Sequence, residues 1–559
     1  MRYRISIFLF LYLFSGSLLA KNEFNLIKEN SSGNDESFQQ LESRIELLRN
    51  YLHIPGCTAG IIKNKELIWV KGFGYSNIEE KKKAADTTCY HCASITKSFG
   101  AVTILKLIED GTISLDDLVL PGLNPVVQHY GINLGKGDVR IRHLLSHTSD
   151  DPPGTYFRYD GDKYATLTKI IMDASGESFE FFLENKILIP VRMISTIPCT
   201  NLNTHQDIKQ KLAQPYKFDD QSNSIPGKYT TSFTTAAGLV SSVEDLAKFS
   251  AALDENKLLN AASKAQMFEP VTLRTGGKID YGLGWFVENV FDKKLIWTFG
   301  YGYCSSGLFI KVPDLDLTFI ILSNCDRISR PFAIGLPNTS IIDSQFALEF
   351  LKLFVFDKII PQVNFPHFKE NMAAKLTQNK DVDIRKIIQA ELRSYWNMSN
   401  LIGDVNVRDN ILNLYAEIFF NTQQNKTNET KLITQIDSVD KKEHYQQSFS
   451  LNEDKNIHVH AVGDGGYCEY FGMYDKIWIE NAITHEEIWR MKADHSDFAG
   501  GHPRNRMVDI NLKLPKGDYI VHFDNSASPY NHYTDNWEAF PPDGLFWGIA
   551  IYAIGDGQK

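Results

Sequence analysis

The sequence predicts two units in series: an α/β domain whose sheet is flanked by helices, and a smaller all-β, sandwich-like domain after it. Three observations carry this. Short β-rich runs near the start, a long apolar helical stretch after Ser94 and returning β-rich runs near residue 310 imply one sheet joining both ends of a helical segment. Residues 444–559 break into short β-rich runs separated by Gly, Pro and Asn clusters. The chain has 559 residues, whereas single cores rarely grow past about 250–300 residues.

Arg2 and Arg4 precede an apolar run from Ile5 to Phe14, followed by Ser15-Gly16-Ser17-Leu18-Leu19-Ala20 and polar Lys21. This is the pattern of a cleaved signal peptide over residues 1–20, so the expected location is secreted or periplasmic. The run is shorter than the about 20 apolar residues that a permanent span needs; an uncleaved anchor is the alternative. No later stretch reaches membrane length, so no span is expected after signal removal. Residues 21–37 are polar. From Phe38 to Leu52 the residues Leu41, Ile45, Leu48 and Leu52 recur at helical spacing. Cys57–Ile62 and Leu67–Val70 read as strands around an Asn64-Lys65 turn. After Ser94, the residues Phe99, Val102, Ile104, Leu105, Leu107 and Ile108 cover most of a helix surface, closed by Asp110-Gly111, so this helix should be buried on most sides. Leu308–Val312 and Leu317–Leu322 form a hairpin around Pro313-Asp314. Pro361 and Pro366 mark a boundary, which places the first domain at 38–355. Residues 369–430 read as a helical connector ending in the polar run Asn421–Thr430. Residues 444–559 then carry the β-rich runs Ile457–Val462, Ile477–Ile479, Val508–Leu514, Tyr519–Phe523 and Phe546–Tyr552.

The composition, 43% hydrophobic and 23% charged, is that of a folded protein rather than a disordered or fibrous one. The net charge is −10, which argues against nucleic acid as a partner, since phosphate binding needs a strong positive patch. Seven cysteines are too few for a disulfide scaffold. Cys89 and Cys92 flank His91 as C-x-x-C, but a metal would need a second ligand pair, and a redox motif a thioredoxin-like context. Neither is present, so both read as packing residues.

Ser94 and Lys97 stand at i, i+3 at the start of the buried helix, on one face and within reach of each other. A serine hydroxyl is a poor nucleophile until a base takes its proton, and a lysine is that base only where burial lowers its pKa. The helix start supplies burial, together with N–H groups that favour a developing oxyanion. The same spacing recurs at Ser438 and Lys441 in a charged stretch with no apolar helix after it, and that pair reads as a chance match.

The run Ala93-Ser94-Ile95-Thr96-Lys97-Ser98 resembles the nucleophile motif of the penicillin-recognising serine hydrolases: serine β-lactamases, low-molecular-weight penicillin-binding proteins, D-aminopeptidases and related esterases. Further segments resemble the family in order. They are Ile141–Ser149 (IRHLLSHTS), Pro153-Gly154 through Tyr159 to Tyr164, Gly238–Ser242 with Asp245-Leu246, Tyr281-Gly282-Leu283-Gly284-Trp285, and Pro313–Asn324. The resemblance covers about residues 40–350 and implies a β-lactamase/transpeptidase-like fold, an antiparallel sheet flanked by helices. It implies Ser94 as acylated nucleophile, Lys97 as its base and Tyr159 as the proton carrier for the leaving group. It requires no metal or cofactor. Two positions depart from the family. Gly161 stands where an Asn is usual, two residues after Tyr159. The third motif, Lys or His, any residue, then Gly, aligns with Thr298-Phe299-Gly300, so its cation is missing; a register centred on Tyr301-Gly302 is the alternative. In the first register the Tyr301 N–H pairs with that of Ser94 as oxyanion hole. A lysine at Thr298 would attract a substrate carboxylate. Its absence points to a neutral ester or amide, or to a peptide recognised through its N-terminus.

His143 and His147 have the i, i+4 spacing of metal ligands but lack the glutamate of an H-E-x-x-H motif, and read as part of a structural segment ending a helix. His458 and His460 read as surface residues. Trp478, Trp489, Trp537, Trp547 and the run Asn525–Asp543 would suit sugar stacking, but the preferred reading is that they form the core and loop anchors of their own sandwich. The expected function is hydrolysis of a small-molecule or peptide substrate. The alternative is a non-catalytic binding protein that keeps the fold, with its β domain holding a glycan or a protein.

Overall fold

The computed structural model describes residues 36–119, 137–150, 152–219, 221–332, 340–358, 382–408, 430–437, 443–465, 473–492, 496–498, 505–526 and 548–554, with a few further positions between. The expected signal peptide lies outside the described residues, as do residues 421–429, Trp537 and Trp547.

The chain enters through helix α1 (36–51), whose Leu41, Ile45 and Leu48 are buried. Strands β1 (Gly56–Lys63), β2 (Glu66–Asn77), β3 (Lys82–Lys83) and β4 (Cys89–His91) follow. A 3-10 turn (Ala93–Ile95) leads into α2 (Thr96–Glu109). Next come α3 (Ile141–Leu145), α4 (Gly161–Ala165), β5 (Ile197–Pro198), β6 (Leu239–Ser242) and α5 (Val243–Asp254). The return to the sheet is β7 (Phe286–Val290), β8 (Lys293–Gly302), β9 (Ser305–Val312) and β10 (Leu317–Ser323). These strands form an antiparallel seven-stranded sheet in the order β3-β2-β1-β10-β9-β8-β7. The first and last strands of the segment therefore pair in the middle of the sheet, Cys57 opposite Ser323.

Period-two alternation assigns the faces. On β10, Ile320 and Leu322 face the core built on α2 and α5, while Phe319 and Ile321 face the core built on α1. Both faces are covered, so β1, β9 and β10 read as near-continuous apolar runs. Helix α2 is buried almost all round, as its sequence predicts.

Helix α6 (Gln345–Phe354) falls inside the expected first domain, whereas α7 (Val382–Ile402), which lies in the segment expected as a connector, is packed rather than a spacer. Ile387, Leu392, Tyr395 and Met398 of α7 join the same core as α1. Arg393 pairs with Asp343 at 2.7 Å and Lys352 with Glu391 at 2.6 Å. The sequence missed this because the apolar stripe of α7, read alone, does not show that it joins a core whose first members, on α1, lie more than 300 residues earlier.

The last unit consists of two antiparallel sheets around one core. Strand β11 (Thr430–Ile436) starts it earlier than residue 444. Then come β12 (His444–Leu451), β13 (Lys455–Asp464), β14 (Lys476–Asn481), β15 (Glu487–Arg490), β16 (Asp497–Phe498), β17 (Asn505–Leu514), β18 (Gly517–Asp524) and β19 (Gly548–Ile554). The orders are β11-β19-β13-β17-β16 and β12-β18-β14-β15. Ile457 and Val459 of the first sheet and Ile477, Ile479 and Val521 of the second share the core. His460, expected at the surface, is buried, because β13 is flanked on both sides by β17 and β19. Trp478 stacks on His522 at 4.3 Å with the Arg490 guanidinium 5.0 Å from its ring, and Trp489 packs against the core. Both rings are engaged within the domain. No described helix is long and apolar enough to cross a membrane.

Candidate active site

The site forms where α2 begins against β8. Strand β4 pairs with β6, and the Cys92 N–H donates to the Leu239 carbonyl at 2.8 Å, which fixes the entry to the turn. Ala93 then takes φ +45°, a left-handed conformation costing a non-glycine residue about 1–2 kcal/mol. Thr96 Oγ1 donates to the Ala93 carbonyl at 2.6 Å and accepts from the Leu239 N–H at 3.2 Å, holding the turn against β6.

Lys97 Nζ donates to Ser94 Oγ at 2.9 Å and to the Ala236 carbonyl at 3.1 Å. Its side chain is buried and it stands over the Tyr159 ring, 4.9 Å from the centroid. Burial lowers its pKa to about 7, opposed by the carboxylates of Asp160 and Asp162. A buried ammonium is costly, so the amine gives up its proton near neutrality. Desolvation pushes the pKa of the Tyr159 phenol up, partly opposed by the Ser94 hydroxyl, so it stays protonated. The three side chains that the sequence singles out for proton transfer thus lie together, with Lys97 between the Ser94 hydroxyl and the Tyr159 ring.

The ring of Tyr159 is seated by residues far apart in sequence. His147 lies 4.3 Å away, Phe299 5.5 Å and Phe286 6.0 Å. His147 Nδ1 accepts from the Asp160 N–H at 3.1 Å, and burial pushes its pKa well below the ordinary range. His143 Nδ1 instead accepts from the Arg140 N–H at 3.1 Å. The two histidines therefore serve separate backbone groups, and among the described residues no set of three His, Cys, Asp or Glu is placed to hold a metal. Tyr164 donates to the Lys97 carbonyl at 2.9 Å. Gly284, at φ +79°, lets the chain cross α2: a Cβ there would stand 2.6 Å from the Ala101 Cβ.

At Gly161 a Cβ would meet nothing closer than Lys97 Nζ, at 3.9 Å. An amide side chain there would be aimed at the lysine. In this chain the second acceptor of Lys97 is the Ala236 main-chain carbonyl, a partner that no side-chain motif could have revealed.

Thr298 is buried on β8, on the same strand face as Gly300. A Cβ at Gly300 would stand 2.4 Å from the Cys92 carbonyl oxygen, whereas one at Gly302 would meet Ala93 only at 3.5 Å. The closest approach of strand to nucleophile turn is thus at Gly300, which favours the Thr298-Phe299-Gly300 register. Tyr301 follows it, opposite Ser306, with its side chain half exposed. No basic residue occupies β8 between Ile296 and Gly302.

Residues 44–336, just over half of the chain, match the family model described as Beta-lactamase. The chain is similar to Protein flp of Staphylococcus aureus (strain NCTC 8325), 27% identical over 348 residues that cover 55% of this chain and 67% of that protein. It is also similar to Penicillin-binding protein 4* of Bacillus subtilis (strain 168), 28% identical over 308 residues covering 46% of this chain and 66% of that protein. It thus spans about two-thirds of the length of each. Among solved structures, the octameric penicillin-binding protein homologue from Pyrococcus abyssi is 27% identical, with a TM-score of 0.47 over 52% of this chain and 73% of that one. With a seven-stranded antiparallel sheet between two helical layers and a family match across it, the chain belongs to the Beta-lactamase family of serine hydrolases.

Proposed function

We propose that the chain is an exported hydrolase that cleaves an ester or amide bond through an acyl-enzyme on Ser94. The observation that carries this reading is the 2.9 Å contact between Ser94 Oγ and a buried Lys97 whose pKa is lowered to about 7. The neutral amine accepts the Ser94 proton as Oγ attacks the substrate carbonyl. The oxyanion is held by the N–H groups of Ser94 and Tyr301, each worth about 10²–10³ in rate. Tyr159, a protonated phenol, passes a proton to the leaving group as the tetrahedral intermediate collapses and regains one from the Lys97 ammonium, so the proton taken from Ser94 ends on the leaving group. Water then attacks the acyl-enzyme, gives its proton to the neutral amine, and that proton returns to Ser94 Oγ as the second intermediate collapses.

Thr298 offers the substrate no charge. A neutral ester or amide, or a D-amino-acid peptide recognised through its amine, fits this better than a substrate held by its carboxylate. Export to the periplasm or medium is part of the same proposal and rests on the residue pattern of positions 1–20.

The test is labelling by a fluorophosphonate and by a labelled penicillin, with turnover of aryl esters and D-amino-acid amides. Labelling and turnover that vanish in Ser94→Ala support the hydrolase. A wild type that takes no label and turns over no substrate refutes it and leaves a fold kept for binding.

A further inference from the structure

We infer that His91 is the positioning residue of the oxyanion hole, its Nδ1 tying the nucleophile turn to the β8–β9 turn. This rests on the hydrolase reading above and adds to it a residue that the nucleophile motif does not include.

His91 ends β4, three residues before Ser94. Its ring is buried and stacks on Tyr229, centroids 5.4 Å apart at 15°. The Ala93 N–H donates to His91 Nδ1 at 3.2 Å. At the start of a helical turn this N–H has no intrahelical acceptor, so the imidazole satisfies a group that would otherwise be orphaned. Ala93 is also the residue held at φ +45°. A strained residue persists only where its surroundings over-determine it, and the imidazole is one of the groups that do so.

The same nitrogen reaches the other half of the hole. Ser305 Oγ lies 3.5 Å from His91 Nδ1. Ser305 opens β9 opposite Gly302, and its neighbour Ser306 pairs with Tyr301. One acceptor atom therefore touches the two segments whose N–H groups, from Ser94 and Tyr301, would converge on the oxyanion. Because the Ala93 N–H is an obligatory donor, Nδ1 carries no proton. The ring is then the neutral Nε2–H tautomer, and its buried Nε2 has no hydrogen-bond partner among the described residues. Burial favours that neutral form, lowering the pKa to about 4.

The experiment compares wild type, His91→Leu and His91→Asn in the rate of Ser94 labelling by a fluorophosphonate and in kcat and KM for an aryl ester. Leucine fills the space without an acceptor. Asparagine loses the ring as well but returns an oxygen acceptor near Nδ1. The expected result is acylation and kcat slower by about 10²-fold in His91→Leu with KM little changed, since a misplacement of about 1 Å costs about that much. His91→Asn should recover to within about tenfold of wild type. Leucine labelled as fast as wild type, or asparagine as slow as leucine, overturns the inference. A wild type that is not labelled overturns the hydrolase reading and this one with it. A second readout needs no variant: imidazole ¹⁵N spectra of the wild type should show Nδ1 unprotonated, and a protonated Nδ1 overturns the assignment.

Discussion

Replacing Lys97 by Met removes the charge while keeping an unbranched stem in the same space. In the unfolded chain a lysine holds its proton up to its ordinary pKa of 10.5, but in this fold only up to about 7. Between those values the unfolded chain binds more protons, so stability rises with pH; below 7 the penalty is complete and constant. At about 1.4 kcal/mol per pH unit, that penalty is about 5 kcal/mol at pH 6 and about 2 kcal/mol at pH 9. The substitution also loses the hydrogen bonds to Ser94 and Ala236, together about 2 kcal/mol. Lys97→Met should therefore be about 3 kcal/mol more stable than wild type at pH 6 and close to it at pH 9. Urea unfolding of the first unit at the two pH values measures this. The companion measurement is kcat/KM against pH, which should rise through a midpoint near 7 as the amine becomes neutral. A variant less stable than wild type by the same margin at both pH values, or a rate profile flat from pH 5 to 9, would refute the claim that burial holds the lysine near neutrality.

Two further changes test the frame around the site. Gly300→Ala puts a methyl 2.4 Å from a backbone oxygen, so β8 must withdraw from the nucleophile turn; acylation should slow by about 10², and an unchanged labelling rate would count against the chosen register. Lys352→Met leaves the Glu391 carboxylate buried without its 2.6 Å partner, which should cost about 3–5 kcal/mol. Adding Glu391→Gln should recover most of that, and a melting temperature unmoved by the single change would show that α7 is not fastened there.

The sequence made legible whatever local periodicity or short spacing encodes. The β-rich runs Leu308–Val312 and Leu317–Leu322 marked a hairpin, the apolar run after Ser94 marked a helix buried on most sides, and the i, i+3 spacing joined Ser94 to Lys97. Tyr159 was legible through its flanking motif. What escaped depends on partners distant in the chain or on groups with no residue signature. The Ala236 acceptor of Lys97 is a main-chain carbonyl. The aromatic seat of Tyr159 combines His147, Phe286 and Phe299. The positive φ of Ala93 leaves no mark on an alanine. Helix α7 looked like a connector because its stripe, read alone, does not say which core it meets, and β11 was hidden at the end of a polar run.

The six described cysteines are all free and all buried. Burial pushes their thiols up, to about 11 for Cys199 and about 12 for Cys89 and Cys325. Attack on an oxidant, a metal or an alkylating reagent needs the thiolate, and these sulfurs neither ionise near neutrality nor meet solvent. Cys89 and Cys92 therefore sit beside the nucleophile turn as inert bulk. These six positions are therefore indifferent to whether the medium is reducing or oxidising, and reagents that silence thiol enzymes find no thiolate to seize among them.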